Sequence, residues 1–184
     1  MPTSLRCAVV ALLCGLAVNE TPCSAANDDA GSSFFLFGPG VAEIVDPSPR
    51  AMGFAEFRYA PGRLRPGPWL SVEATARDLF VGFGAFLDIP MGARWLFTPS
   101  FGAGIYREHD GLGLGDPLEF RATAEFTRRL EHGRFGASLA HLSNAGIGET
   151  NPGTEVIKIV WVVPLQRARS VIRADPAADP VLHQ

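Results

Sequence analysis

Between residues 118 and 127 apolar and polar side chains alternate without a break. Leu118, Phe120, Ala122, Ala124 and Phe126 fall on one parity, and Glu119, Arg121, Thr123, Glu125 and Thr127 on the other. A period of two belongs to an extended strand, whose successive side chains point to opposite faces. The pattern recurs. Over 79–89, Leu79, Val81, Phe83, Ala85, Leu87 and Ile89 oppose Phe80, Gly82, Gly84, Phe86 and Asp88; later, Ile157, Ile159, Trp161 and Val163 oppose Val156, Lys158, Val160 and Val162. A chain of this kind must build sheets in which one face is apolar and the other is small or charged.

Eight strands are expected, over about 34–45, 51–60, 69–77, 79–89, 94–107, 117–130, 133–144 and 154–165. Gly, Pro and Asp separate them, as in Asp46-Pro47-Ser48-Pro49, Pro90-Met91-Gly92 and Glu131-His132-Gly133, which is turn chemistry. The first strand has the poorest alternation, because Gly38-Pro39-Gly40 interrupts it. A soluble sandwich would bury the apolar face, whereas an outer-membrane barrel turns it to lipid and encloses the other. Two features favour the barrel: the second face mixes charge with Gly and Ala, and Tyr59, Trp69, Trp95 and Phe97 sit near strand ends, where interfacial girdles form. The expected fold is therefore all-β, an eight-stranded antiparallel outer-membrane β-barrel, eight being the smallest such barrel. With 47% hydrophobic residues the chain is too apolar to stay disordered, yet no apolar run reaches the ~18–20 residues of a spanning helix.

The organisation expected is a signal peptide over 1–25, a barrel over 26–165 and a disordered tail over 166–184. Arg6 supplies the positive start, residues 7–18 the apolar stretch, and Cys23-Ser24-Ala25 a small-residue cleavage site, so the protein would be exported. All three cysteines (Cys7, Cys14 and Cys23) lie in that segment, so the mature chain would have neither disulfide nor thiol nucleophile. A net charge of −3 provides no basic field for nucleic acid. Glu73, Glu119, Arg121, Glu125 and Lys158 are expected to pair with one another in the barrel lumen, since unpaired burial is costly. His109 and Asp110 beside Glu108 are read as a solvated loop rather than a metal site, and His132 as a turn residue.

His141 and Ser143 are two apart in one strand and share its face; Glu155 shares a face with Ile157, Ile159 and Trp161. A hairpin over 144–154 brings Glu155 opposite the His141–Ser143 pair, within the ~5–8 Å that cross-strand neighbours span. A hydroxyl, an imidazole and a carboxylate are what nucleophilic acyl transfer requires, and triads are defined by geometry rather than chain order. The spacing itself is also compatible with two girdle residues and a rim carboxylate.

The whole block His141-Leu142-Ser143-Asn144-Ala145-Gly146 … Asn151-Pro152-Gly153-Thr154-Glu155 resembles the signature of PagL-type lipid A 3-O-deacylases, the acyloxyacyl hydrolases. The resemblance implies an eight-stranded barrel with its triad on the lipid-facing wall, with His141 as base, Ser143 as nucleophile and Glu155 as orienting acid. It further implies an oxyanion hole from the Asn151 side chain and the Gly146 amide, with Asn144 in support. The substrate implied is lipid A of lipopolysaccharide in the bacterial outer membrane. No metal or cofactor is implied, and homodimerisation is left open. The rival expectations are a non-catalytic structural or adhesion barrel and a soluble periplasmic lipocalin-like carrier.

Overall fold

The computed structural model describes residues 31–166, apart from 46, 47, 63 and 110–112. The signal peptide expected over 1–25 and nearly all of the expected tail lie outside the described residues; Gln166 is the last residue of the final strand.

Among the described residues nine strands follow in chain order: β1 (Ser32–Ala42), β2 (Arg50–Ala60), β3 (Gly67–Thr75), β4 (Asp78–Phe86), β5 (Ile89–Met91), β6 (Trp95–Glu108), β7 (Leu118–Leu130), β8 (Gly133–Ser143) and β9 (Thr154–Gln166). All pairings are antiparallel; β1 bonds to both β2 and β9, and β4 bonds to β6, which closes the sheet. The three-residue β5 also pairs with β6, so β4 and β5 together form one stave of an eight-stave barrel. Among the described residues every strand but the short β5 is paired on both sides, and such closure is what allows strands to cross a bilayer.

Two expectations about single strands change. The first strand runs continuously through Gly38-Pro39-Gly40, because β2 pairs with all three residues, while the ladder to β9 passes from Phe37 to Gly40. The expected strand 79–89 is broken at Leu87–Asp88, where Leu87 N–H still donates to Pro99 O (3.0 Å). There Asp88 accepts from Thr98 Oγ1 (2.7 Å) and from Arg134 Nη1 (2.8 Å), and this inward anchoring interrupts the ladder.

The sorting of faces is the reverse of a soluble domain. Phe83, Phe101, Leu70 and Phe126 are exposed outside, while Glu56, Arg58, Glu73, Arg121, Glu125 and Lys158 are buried inside. A continuous apolar outer wall of this size marks a lipid contact. Around one end of the barrel the outward ladder runs through Phe37, Trp161, Phe135, Arg128 and Trp95, with Phe37–Trp161 and Phe135–Trp161 ring centroids 6.2 and 5.0 Å apart. This is an aromatic girdle at the end where β8 begins.

The lumen is filled rather than open. Arg58 pairs with Glu56 (2.6 Å) and Glu125 (2.8 Å); Arg121 pairs with Glu56 (2.6 Å) and with Glu73; Lys158 pairs with Glu73 (2.8 Å). Three carboxylates meet three cations, so the cluster is neutral, as burial of charge demands. Arg121 also stacks over Trp69, 3.8 Å from the ring centroid. The indole has room because Gly84 lies against it; a Cβ there would come within 2.7 Å of Trp69 Cζ2. Glu119 does not join this network, contrary to the sequence expectation. It is fully buried, and among the described residues neither carboxylate oxygen has a hydrogen-bond partner. The physical reason is its place at the start of β7, where its ladder partner Gly104 has no side chain to offer.

Candidate active site

β8 rises from the girdle end and β9 returns to it, so the loop 144–153 lies at the opposite rim. Strand parity turns His141 outward with Leu139, and Glu155 outward with Ile157. The antiparallel register sets His141 directly opposite Glu155. His141 Nδ1 and Glu155 Oε1 are 3.2 Å apart, with the two side chains 52% and 34% exposed. A carboxylate only accepts, so the Nδ1 proton is assigned to this bond, leaving Nε2 as the basic nitrogen. Ser143 is half-buried on the same face of β8, two residues beyond His141 and opposite Phe120 of β7. Two residues along a strand span about 6.6 Å, which an imidazole can bridge. Leu139 and Ile157 lie immediately below the polar group and are exposed on the apolar wall. The three polar residues therefore stand at the rim of the apolar band, where a charged group facing lipid costs least.

The loop above is built around Asn144, which is fully buried. Its Nδ2 donates to Leu114 O (2.8 Å) and Thr150 O (2.7 Å), its Oδ1 accepts from Gly146 N–H (2.9 Å), and its own N–H donates to Asn151 Oδ1 (3.1 Å). One side chain thus ties the loop between β6 and β7 to the loop between β8 and β9. Ala145 (φ 55) and Gly146 (φ 78) turn the chain in the left-handed region immediately after Asn144. Consequences for the expected oxyanion donors differ. The Asn151 oxygen is engaged, which leaves its Nδ2 to serve as a donor. The Gly146 N–H is already committed to Asn144 Oδ1, so it must share or release that bond to reach a substrate oxygen.

Two features of the site were not read from the sequence. The loop between β1 and β2 supports Glu155 from the far side, where Ile44 N–H donates to Glu155 O (3.3 Å). Gly153 (φ 65) brings the returning chain against the His141 ring. In sequence Gly153 stood only as one residue of the block ending at Glu155; its position two residues before Glu155 was the available signal. His132 lies at the girdle end beside Glu131 (3.8 Å), away from the site. Among the described residues no group of three or more His, Cys, Asp or Glu is placed to hold a metal ion.

Comparison with known proteins identifies the family and the fold. The model of the lipid A 3-O-deacylase (PagL) family matches residues 67–164, more than half of the chain. No curated protein matches. A crystal structure of the outer-membrane enzyme PagL superposes with a TM-score of 0.55 at 13% identity, covering 73% of this chain and 99% of that one. At that identity the likeness speaks for the barrel fold alone, and the family match covers β3 to β9, including the whole His141–Glu155 hairpin. The chain belongs to the lipid A 3-O-deacylase (PagL) family.

Proposed function

We propose that the protein is an outer-membrane serine esterase that hydrolyses the ester-linked 3-hydroxyacyl chain at the 3-position of lipid A, using Ser143, His141 and Glu155. The observation that carries this reading is the 3.2 Å contact between His141 and Glu155 on the lipid-facing wall, with Ser143 next on that face. Such a pairing has no packing value at a half-exposed site, where an ion pair contributes at most about 1 kcal/mol. It has a chemical one.

In the first step His141 Nε2 takes the Ser143 proton as Oγ attacks the ester carbonyl. Glu155 holds the tautomer and stabilises the imidazolium. The tetrahedral oxyanion is met by donors from the loop, Asn151 Nδ2 and, once its bond to Asn144 opens, Gly146 N–H; each such donor is worth ~2.7–4 kcal/mol. As the intermediate collapses, the C–O bond to the sugar breaks, the departing oxygen takes the proton from His141 and leaves as the hydroxyl, and the acyl chain stays on Ser143. Water then attacks that ester with His141 as base, releasing the hydroxy fatty acid. The site lies where Leu139 and Ile157 end and the loops begin. An ester at the boundary between acyl chains and sugar headgroup would reach Ser143 at that level without leaving the leaflet.

The test is mass spectrometry of lipid A from cells making the wild type or Ser143→Ala. Loss of one hydroxyacyl mass in the wild-type cells only is expected. Identical spectra would refute the assignment of lipid A as substrate and favour the structural barrel.

A further inference from the structure

We infer that Gly153 is a positioning residue for His141: its bare Cα forms the wall against which the imidazole is set toward Glu155 and Ser143. The inference rests on the catalytic reading above. Gly153 is half-buried with φ +65, so the loop reaches β9 through a left-handed residue. A Cβ placed on it would stand 2.9 Å from His141 Cε1, 3.4 Å from His141 Nε2 and 3.3 Å from Leu142 O. The first distance is too short for any real side chain. The second shows that the wall lies along the ring edge carrying the basic nitrogen. Cε1 joins the two ring nitrogens, so the ring is bounded by Glu155 at Nδ1 and by Gly153 at Cε1.

Apart from the backbone Leu142 O at 3.3 Å, the atoms a Cβ would meet belong to a side chain that is 52% exposed toward lipid. The ring can swing outward, so the clash is relieved with little effect on the fold. The swing separates Nδ1 from Glu155 or carries Nε2 away from Ser143. Either displacement spoils proton transfer while leaving the lipid-binding wall of Leu139 and Ile157 untouched. A displacement of about 1 Å can cost ~100-fold in rate.

Gly153→Ala and Gly153→Asn are assayed as full-length protein in detergent micelles, with release of hydroxy fatty acid from purified lipid A as the readout. Asn tolerates left-handed backbone better than Ala but places its Cβ in the same position. Gly92→Ala serves as the strain control: Gly92 has φ +81 in the turn between β5 and β6, and a Cβ there meets nothing within 4 Å. Folding is checked by heat-modifiable migration on gels. Both Gly153 variants are expected to fold and to lose kcat by ~100-fold with KM little changed; Gly92→Ala retains wild-type kcat. Wild-type kcat in either folded Gly153 variant, while Ser143→Ala is inactive, overturns the positioning role alone. If Ser143→Ala keeps its activity, the catalytic reading itself has failed. A loss confined to KM would reassign Gly153 to substrate binding and also overturns the inference.

Discussion

Replacing Arg121 by Met removes one cation from a cluster of three carboxylates and three cations, and the cost can be worked from its contacts. Arg121 is 1% exposed and pairs with Glu56 and Glu73, donates to Ser71 Oγ (3.1 Å), and lies over Trp69. After the substitution Glu56 keeps Arg58 (2.6 Å) and Glu73 keeps Lys158 (2.8 Å), so neither carboxylate is abandoned, but the cluster carries one uncompensated negative charge. Breaking a buried pair by removing one partner costs about 3–5 kcal/mol. The lost cation–π contact adds about 1–2 kcal/mol, of which a Met sulfur over the same indole returns ~0.3–1.5 kcal/mol. A net destabilisation of about 3–5 kcal/mol is expected. The assay is urea unfolding in phosphatidylcholine vesicles, followed by tryptophan fluorescence, with equal slopes required before midpoints are compared. The double variant Arg121→Met/Glu56→Gln restores equal numbers of acids and bases and is expected to recover part of the loss. A cost below about 1 kcal/mol for Arg121→Met would refute the reasoning, because it would mean that water reaches the lumen and screens the cluster.

Three further outcomes are expected. Glu119→Met should stabilise the barrel by about 1–3 kcal/mol in the same titration, because both oxygens of a fully buried carboxylate lack partners; a loss of stability would reveal a partner. Glu155→Gln should lower kcat by ~5- to 1000-fold, corresponding to the ~1–4 kcal/mol that a unit charge about 4 Å from the imidazolium supplies between water-like and surface dielectric. Hydroxy fatty acid release from lipid A measures this, and an unchanged kcat would remove Glu155 from the mechanism. Asn144→Ala should cost about 2–3 kcal/mol by loss of three side-chain hydrogen bonds. It should also open the loop 144–153 to proteolysis in intact, folded barrels, and a loop as resistant as the wild type would refute its role as the tie between loops.

What could be read from the sequence follows from how local each feature is. Alternation is a property of the extended backbone, so Leu118 to Thr127 reveal both faces within ten residues, and His141, Ser143 and Glu155 fall on the apolar face by parity alone. Register across the last hairpin follows from a loop short enough to count, and His141 does stand opposite Glu155. Lumenal partners are different, because barrel closure chooses them. Arg121 meets Glu56 across 65 positions, and Arg134 meets Asp88 across 46. No period encodes such distances. Asp88 therefore looked like one more alternating residue, although its inward anchoring breaks the strand. Glu119 and Glu125 share one strand, one parity and one chemistry, yet Glu125 is held by Arg58 and Glu119 by no described residue. The same limit explains Gly153. A glycine in a loop announces a turn, but its contact with His141 exists only once β8 and β9 are in register and the loop has been drawn down by Asn144. The placement of His141, Ser143 and Glu155 was legible because they sit on strands; the contact of Gly153 with His141 was not, because it forms where the chain leaves the strands.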